Sequence, residues 1–137
     1  MNQQELPFLT LLKGVIFMKR DPDLMRSIML ELEKHPYLQN NISALFPDKT
    51  LEEYRIIAMH IKLLEDNGYL QLGQCLLGFR YENWYISRIT ENGYIFIDYI
   101  RSDTVWKKIK PQLVAVGSFA LDVIKPIVTA FLMSQKN

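Results

Sequence analysis

The sequence has almost no cysteine and almost no net charge, and each absence excludes a class of protein. Cys75 is the single cysteine among 137 residues, so an internal disulfide is excluded and a reducing compartment is expected. A lone thiol can act as a nucleophile, but the apolar neighbours Leu76 and Leu77 favour a buried cysteine. The formal net charge of +1 creates no global attraction to nucleic acid or to an anionic membrane. Binding of either kind therefore requires a local patch.

The chain also lacks a recognisable export or membrane signal. Its polar first residues and the mostly apolar residues 6–17 include no basic leader and no small-residue cleavage site. A second apolar stretch, residues 113–133, is interrupted by Asp122, Lys125 and Pro126, each of which is costly at the centre of a bilayer span. We therefore predict a cytoplasmic protein without a membrane partner.

The sequence offers no constellation of residues for catalysis. A nucleophile with a base, metal-ligand spacing and a glycine-rich phosphate loop are all missing. Neither His35 nor His60 stands at helical spacing from a second suitable metal ligand. Paired acids such as Glu52 and Glu53 are typical of a solvated helix face. We predict a non-enzymatic protein with no catalytic residue, metal, cofactor or small-molecule substrate.

The residues that are present predict one globular domain rich in helices. Hydrophobic residues make up 49% and charged residues 23% of the chain, which is close to globular averages. Residues 6–17 predict a first helix with apolar side chains on most sides, which needs a packing partner. Asp21 before Pro22 marks the start of a second helix. That helix should end near His35 because Pro36 cannot continue it.

The middle of the chain predicts a helix followed by a β-hairpin. Thr50 and Glu53 form a capping box, and apolar residues then recur at helical spacing. Gly68 is typical of a helix end, and two β-rich runs follow it. The predicted elements are a loop with at most one short helical turn over 39–50, a helix over 51–67 and strands over 69–72 and 84–90.

The last third of the chain predicts three helices. Thr90 caps a helix over residues 91–101, and a further helix follows until Pro111 interrupts it. A final helix over residues 112–134 has only a narrow polar stripe on an otherwise apolar surface. So wide an apolar face needs a partner helix, either in this chain or in a second copy.

The order of helices and hairpin resembles a winged helix-turn-helix, with the hairpin as the wing. Three segments are similar to a family of small, largely phage- and prophage-encoded bacterial proteins catalogued as domain of unknown function twenty-five thirteen. The similar segments are MKRD at residues 18–21, HIKLLEDNG at residues 60–68, and WYISRIT at residues 84–90 with the stretch that continues to Lys107. The resemblance implies a fold and a genomic setting but no activity. Members typically begin at the position of Met18, whereas 17 residues precede it here; their apolar content favours an added helix.

These observations together predict a mainly α fold of the α+β class. The predicted organisation is a winged helix-turn-helix core over residues 18–110, flanked by an N-terminal helical extension over residues 1–17 and a C-terminal apolar helix over residues 111–137, which serves packing or oligomerisation.

The leading functional hypothesis is a regulatory protein that binds duplex DNA. If Ile57, Ile61 and Leu64 point inward, the opposite face of the central helix has mixed charge, which weakens attraction to phosphates. The predicted nucleic-acid contacts are Arg55, Met59 and Lys62 on the central helix, Arg80 at the wing, Arg88 on the second strand, and Lys107 and Lys108 beside Trp106.

A homodimer is the expected assembly, because both terminal helices are too apolar to be stable alone and added helices often build dimers on this frame. Packing of the same residues over the core of one chain is the alternative. The predicted dimer interface consists of Leu9, Leu12, Val116, Phe119, Val123, Ile127 and Phe131.

The alternative function is a protein-interaction or assembly module that retains the winged-helix frame and acts on a host or defence protein, so the expected protein partner is of host or phage origin. One continuous positive surface over the central helix, the wing and residues 107–110 would favour DNA. Separation of these groups on the fold would favour the interaction module.

Overall fold

The computed structural model describes residues 19–35, 40–73 and 80–135. It confirms a mainly helical α+β fold, with a small antiparallel sheet set among helices. A short 3-10 turn, Tyr81–Asn83, precedes the last strand. The elements in chain order are α1 (Pro22–Glu33), β1 (Asn40–Asn41), α2 (Ile42–Leu45), α3 (Leu51–Asp66), β2 (Leu70–Leu72), β3 (Tyr85–Ile89), α4 (Glu91–Ile100), α5 (Asp103–Val116) and α6 (Leu121–Ser134).

The predicted helix starts of α1, α3 and α4 are confirmed by capping hydrogen bonds. Asp21 accepts the Leu24 amide at 3.2 Å. The capping box of α3 is complete, because Thr50 accepts the amide of Glu53 at 3.1 Å and the Glu53 carboxylate accepts the amide of Thr50 at 2.9 Å. Thr90 accepts the amide of Gly93 at 3.0 Å. Each bond satisfies an amide that has no partner within its own helix.

The hairpin is confirmed, and a third strand that was not predicted completes the sheet. β3 lies in the middle and pairs antiparallel with β2 and with β1. β1 consists of two asparagines, a residue type that is depleted in strands, so no alternating pattern in the sequence predicts it. It forms because the adjoining chain pairs with the end of the hairpin, where the amide of Ile42 donates to the carbonyl of Trp84 at 2.9 Å.

The helix boundaries predicted around Pro111 are wrong. α5 continues through Pro111 to Val116 and ends at Gly117, which adopts the left-handed conformation with φ 79°. Proline removes one hydrogen bond to the carbonyl of Lys107, but both residues are exposed, so water can satisfy that carbonyl. The final helix is therefore α6, which begins at Leu121 and also contains a proline, Pro126.

All the described helices share one hydrophobic core. Tyr69 and Phe96 stack at its centre with ring centroids 4.3 Å apart, and burial holds the pKa of the Tyr69 hydroxyl above its usual range. α6 packs against α4 and α5 and buries Ile124 and Val128. No helix in the described parts of the chain combines the length and the apolar content needed to cross a membrane.

Asp23 links α1 to α5 in a polar contact at the edge of the core. Its carboxylate accepts the Trp106 indole N–H and the Lys110 ammonium, each at 2.8 Å. These hydrogen bonds, that of Lys110 first and that of Trp106 second, hold the pKa of Asp23 below its usual range.

We expect the stability that Asp23 contributes to be lost in acid. A carboxyl whose pKa is lowered by folding stabilises the protein above its unfolded pKa of about 3.9, and the contribution disappears as the pH falls through the folded pKa. The carboxylate is largely exposed, so screening limits the effect to about 1 kcal/mol or less. Urea unfolding of wild type and Asp23→Asn should show a difference in the free energy of unfolding near neutral pH, and this difference should shrink as the pH falls below about 3.9. A difference in the free energy of unfolding that does not change with pH would contradict a stabilising role for the Asp23 carboxylate.

Candidate nucleic-acid interface

α3 presents the two faces that its sequence predicts. Tyr54, Ile57, Ala58, Ile61 and Leu64 are buried against the core. The opposite surface, called here the α3 outer face, consists of Glu52, Arg55, Met59, Lys62 and Asp66.

Arg55 is bound to a carboxylate of its own helix. Its guanidinium donates two hydrogen bonds to Glu52, from Nε at 3.1 Å and from Nη2 at 2.5 Å. This contact raises the pKa of Arg55 and lowers the pKa of Glu52. The three-residue spacing places the two side chains side by side on the helix, so the positive charge of Arg55 faces a negative one.

Lys62 is bound in the same way near the other end of α3. Its ammonium lies 2.7 Å from Glu65 and 3.8 Å from Asp66. Burial raises the pKa of Glu65, but hydrogen bonds from Lys62 and from the amide of Leu72 outweigh it, and the net pKa lies below the usual range. Lys62 therefore has two acidic neighbours on its own helix.

The balance of charge on α3 is negative. Its sequence contains four carboxylates, Glu52, Glu53, Glu65 and Asp66, against the two cations Arg55 and Lys62. Met59 lies between the cations but is half-buried against the core, so it is less available than its predicted role as a contact to DNA requires.

The predicted wing contacts are also engaged with neighbours. Arg80 lies 2.9 Å from Glu82, and Arg88 donates to the side chain of Gln71 at 2.8 Å. Tyr81 packs edge-on against Trp84 with centroids 5.6 Å apart and is not a free stacking surface. Residues 74–79, which belong to the predicted wing and include Cys75 and Phe79, lie outside the described residues.

Lys107 and Lys108 lie exposed on α5. Neither makes an ion pair within the described chain, unlike Lys110, whose charge is balanced by Asp23. A cleft of ≈640 Å³ lies between α5 and α3, and its lining includes Val114 of α5 and Ile56 of α3. The lysine pair and the α3 outer face therefore lie on helices that this cleft separates.

His60 sits in the wall of this cleft and has a structural role. The amide of Asp21 donates to its Nε2 at 2.8 Å, so Nε2 is the acceptor and the ring proton is on Nδ1. Nδ1 in turn donates to the carbonyl of Ile56 at 2.8 Å. Both ring nitrogens are used, and His60 connects α3 to the start of α1.

A second depression lies at the other end of α3. This depression has a volume of ≈310 Å³ and is lined by α1, the chain before α3 and α3 itself. The two cavities share Ile56, and together they are called here the α3 groove. Its lining residues are Lys19, Arg20, Asp21, Pro22, Leu24, Phe46, Lys49, Glu53, Ile56, Ile57, His60, Lys110 and Val114.

Sequence reasoning did not find the α3 groove, because no local pattern marks it. Its residues come from the chain before α1, from α1, from the chain around residues 46–49, and from α3 and α5. Ile56 shows only a weak signal, since it lies at the border between the buried face and the outer face of α3.

The structure separates the predicted dimer-interface residues into three groups. Leu9 and Leu12 lie outside the described residues. Phe119 is 5% exposed, its carbonyl accepts the Tyr69 hydroxyl, and Arg20 stacks over its ring at 5.7 Å. It is a core residue of its own chain and leaves little side-chain surface for the predicted dimer interface.

The other interface residues keep some surface. Val123 and Ile127 are half-buried against the core, as is Phe131 by its exposure, whereas Val116 is 59% exposed. Much of the apolar face of α6 thus packs within its own chain, which is the alternative that the sequence left open.

The charged side chains do not gather into a metal site within the described residues. No group of three His, Cys, Asp or Glu residues in those parts of the chain is arranged to hold a metal ion. The acids of α1 and α3 instead cap helices or pair with cations.

Comparisons with known proteins identify a family and assign no activity. A curated protein of Haemophilus influenzae, described as "Uncharacterized protein", is 32% identical over 118 residues, which cover 80% of this chain and 92% of that protein. No solved structure matches the chain. A family model described as "Hypothetical protein (DUF2513)" matches residues 19–119, from the start of the described chain to the core residue Phe119. The protein therefore belongs to the DUF2513 family.

Proposed function

We propose that this protein is a non-enzymatic protein-interaction module built on a winged-helix frame. The α3 outer face and the neighbouring α3 groove are its docking surfaces. A host or phage protein is the expected partner, in keeping with the genomic setting that the family resemblance implies.

The topology supports the winged-helix frame. The chain runs helix, strand, helix, helix, strand, strand from α1 to β3, and the strand order in the sheet is β1-β3-β2. This is the order expected when a helix-turn-helix is followed by a hairpin whose second strand pairs with an early strand. α3 then takes the position of the recognition helix.

The charge of α3 is the observation that favours a protein partner over DNA. Duplex DNA carries one negative charge per about 1.7 Å of its axis. The α3 outer face would meet it with two carboxylates, Glu52 and Asp66, beside its two cations, and Glu53 and Glu65 add negative charge to the same helix. Exposed ion pairs contribute only about 0–1 kcal/mol, so Arg55 and Lys62 could turn towards phosphates. The carboxylates would nevertheless remain in place and repel the backbone.

DNA binding remains the second candidate because some cations lack an acidic partner. Arg88 is exposed and bonded to the neutral amide of Gln71, and Lys107 and Lys108 make no ion pair within the described residues. These three groups could contact phosphates without the participation of α3.

We expect the purified protein to bind duplex DNA weakly, and binding should be insensitive to changes on α3. Fluorescence anisotropy with random-sequence duplex and with the duplex that flanks the gene, over a salt series, measures this. The double variant Arg55→Ala with Lys62→Ala should leave any residual binding unchanged. Steeply salt-dependent binding that this variant weakens would overturn the proposal and establish α3 as a DNA-reading helix.

Site-specific photo-crosslinking in living cells tests for the protein partner directly. A photoreactive amino acid at Glu52 or Asp66 samples the α3 outer face, and the same group at exposed Ala130 on α6 is the matched control. Adducts that form at the α3 positions, resist nuclease and are digested by protease would support the proposal. Nuclease-sensitive adducts, or equal labelling from Ala130, would contradict it.

A further inference from the structure

We propose that the α3 groove binds an acidic, amphipathic segment of the partner protein. The inference rests on the proposed function and deepens it by naming the chemistry of the partner. The groove combines an apolar floor with unpaired positive charges at its rim.

The floor of the groove is apolar and incompletely covered. Leu24, Phe46 and Ile56 are only half-buried, and Val114 is 57% exposed although it faces the larger cavity. Apolar area of this kind is stabilised when a partner removes it from water. A helix that lays its apolar side into a groove is a common way to cover such a surface.

More cations than carboxylates line the groove. Lys19 lines the larger cavity and Lys49 the smaller one, and neither forms an ion pair within the described residues, although Lys49 interacts electrostatically with Glu53. The third cation at the rim, Arg20, lies over the ring of Phe119. A ligand that fits these cations carries carboxylates at its edges.

The acids that line the groove are already engaged. Asp21 accepts the first-turn amide of α1 at 3.2 Å, and Glu53 accepts the amide of Thr50 at 2.9 Å. The remaining cation, Lys110, is neutralised by Asp23 at 2.8 Å. Asp21 and Glu53 keep their negative charges, but the three cations Lys19, Arg20 and Lys49 outnumber them, so the lining carries a small net positive charge.

The apolar floor favours a protein segment over the backbone of nucleic acid, which contacts proteins chiefly through phosphates and sugars.

The rival occupant is residues 6–17 of the same chain, which are mostly apolar and lie outside the described residues. Lys19 lines the groove, and residues 6–17 end only two positions before it in the sequence. The test therefore distinguishes the two occupants.

Thiol reactivity at Val114→Cys in the full-length protein reports whether the groove is covered. Val116→Cys is the matched control. Val116 lies on the same helix and is almost as exposed, at 59% against 57% for Val114. Because it is two residues further along the helix, its side chain points to a different side. Site-resolved mass spectrometry separates either thiol from Cys75. The probe is a synthetic helical peptide with leucine and phenylalanine on one face and glutamate on the other. The control peptide has the same sequence with lysine in place of every glutamate.

We expect both introduced thiols to react at similar rates in the free protein. Excess acidic peptide should slow the Val114→Cys thiol about tenfold by covering it, while the lysine peptide and the Val116→Cys thiol should show no change. Adding Lys19→Glu with Lys49→Glu should abolish the protection. Adding Lys107→Glu with Lys108→Glu, which also removes two unpaired lysines, should preserve it.

Three results would overturn the assignment. Protection of the Val114→Cys thiol without peptide would identify residues 6–17 as the occupant. Equal protection by both peptides would show that the cations do not select the ligand. No protection by either peptide would remove the groove as a docking site. Crosslinking from the α3 outer face would still report on the interaction function in each case, so the two proposals can fail separately.

Discussion

Replacement of Gly93 by alanine is expected to destabilise the protein by about 3 kcal/mol or more. Gly93 is buried in the first turn of α4, directly against the chain at Tyr69. An added Cβ would overlap the Tyr69 carbonyl oxygen and would lie 2.7 Å from Cγ2 of Ile89. Backbone atoms cannot move aside as a flexible side chain can, so α4 would have to shift away from the sheet. Urea unfolding followed by far-UV circular dichroism measures the loss.

The control for this prediction is the neighbouring residue on the same helix. Asn92 is exposed, and alanine there should change the free energy of unfolding by no more than about 0.5 kcal/mol. If Gly93→Ala were as stable as Asn92→Ala, the close packing of α4 on Tyr69 would be incorrect.

Replacement of Trp106 by alanine is expected to cost about 3–5 kcal/mol. The side chain is 4% exposed in the core, and its indole N–H donates to Asp23 of α1 at 2.8 Å. The guanidinium of Arg26 lies over its ring, 5.7 Å from the centroid. Truncation would leave a cavity between α1 and α5 and would also remove one partner of Asp23. Equilibrium unfolding in urea measures both effects together.

A second variant separates the packing of Trp106 from its hydrogen bond. Trp106→Phe retains most of the apolar area but loses the N–H group, so we expect a cost of about 1–3 kcal/mol. If the phenylalanine and alanine variants lost equal stability, packing of the ring would not be what holds α5 to α1. Neither variant is suited to partner-binding experiments, because loss of the fold would be indistinguishable from loss of the site.

The charge arrangement on α3 explains why the same helix could suggest DNA binding in a linear sequence and favour a protein partner in the structure. Arg55 and Lys62 stand on the outer face as predicted, but each meets a carboxylate three residues away on its own helix. The mixed sign was readable from the sequence. The extent to which Arg55 and Lys62 pair with carboxylates could not be predicted from the sequence, because it depends on the rotamers that long side chains adopt.

Helix starts were predictable from short-range chemistry alone. Asp21, Thr50 and Thr90 cap α1, α3 and α4 as expected, because a cap needs only the two or three residues that follow it. The start of the hairpin was predictable for the same reason. Gly68 adopts φ 81°, the left-handed conformation that commonly ends a helix, and the hairpin follows it.

Helix ends in the last third of the chain were less predictable. Pro111 was expected to interrupt a helix, yet α5 passes through it and ends at Gly117. A proline removes one hydrogen bond, and its effect depends on whether the freed carbonyl is solvated and whether packing holds the helix on both sides. Trp106, Ile109 and Leu113 are all buried, so they hold α5 to the core before and after Pro111.

The sequence alone established the α+β class, the position of α3 and the mixed charge of its outer face. These features follow from capping residues, apolar periodicity and the hairpin pattern, which all depend on residues close together in the chain. Contacts between distant segments established the rest. β1 exists only because β3 lies beside it, Phe119 is a core residue because Tyr69 and Arg20 meet it, and the α3 groove forms where separate segments converge on Ile56. No periodicity marks such contacts, since they depend on how elements pack and not on which residues follow one another.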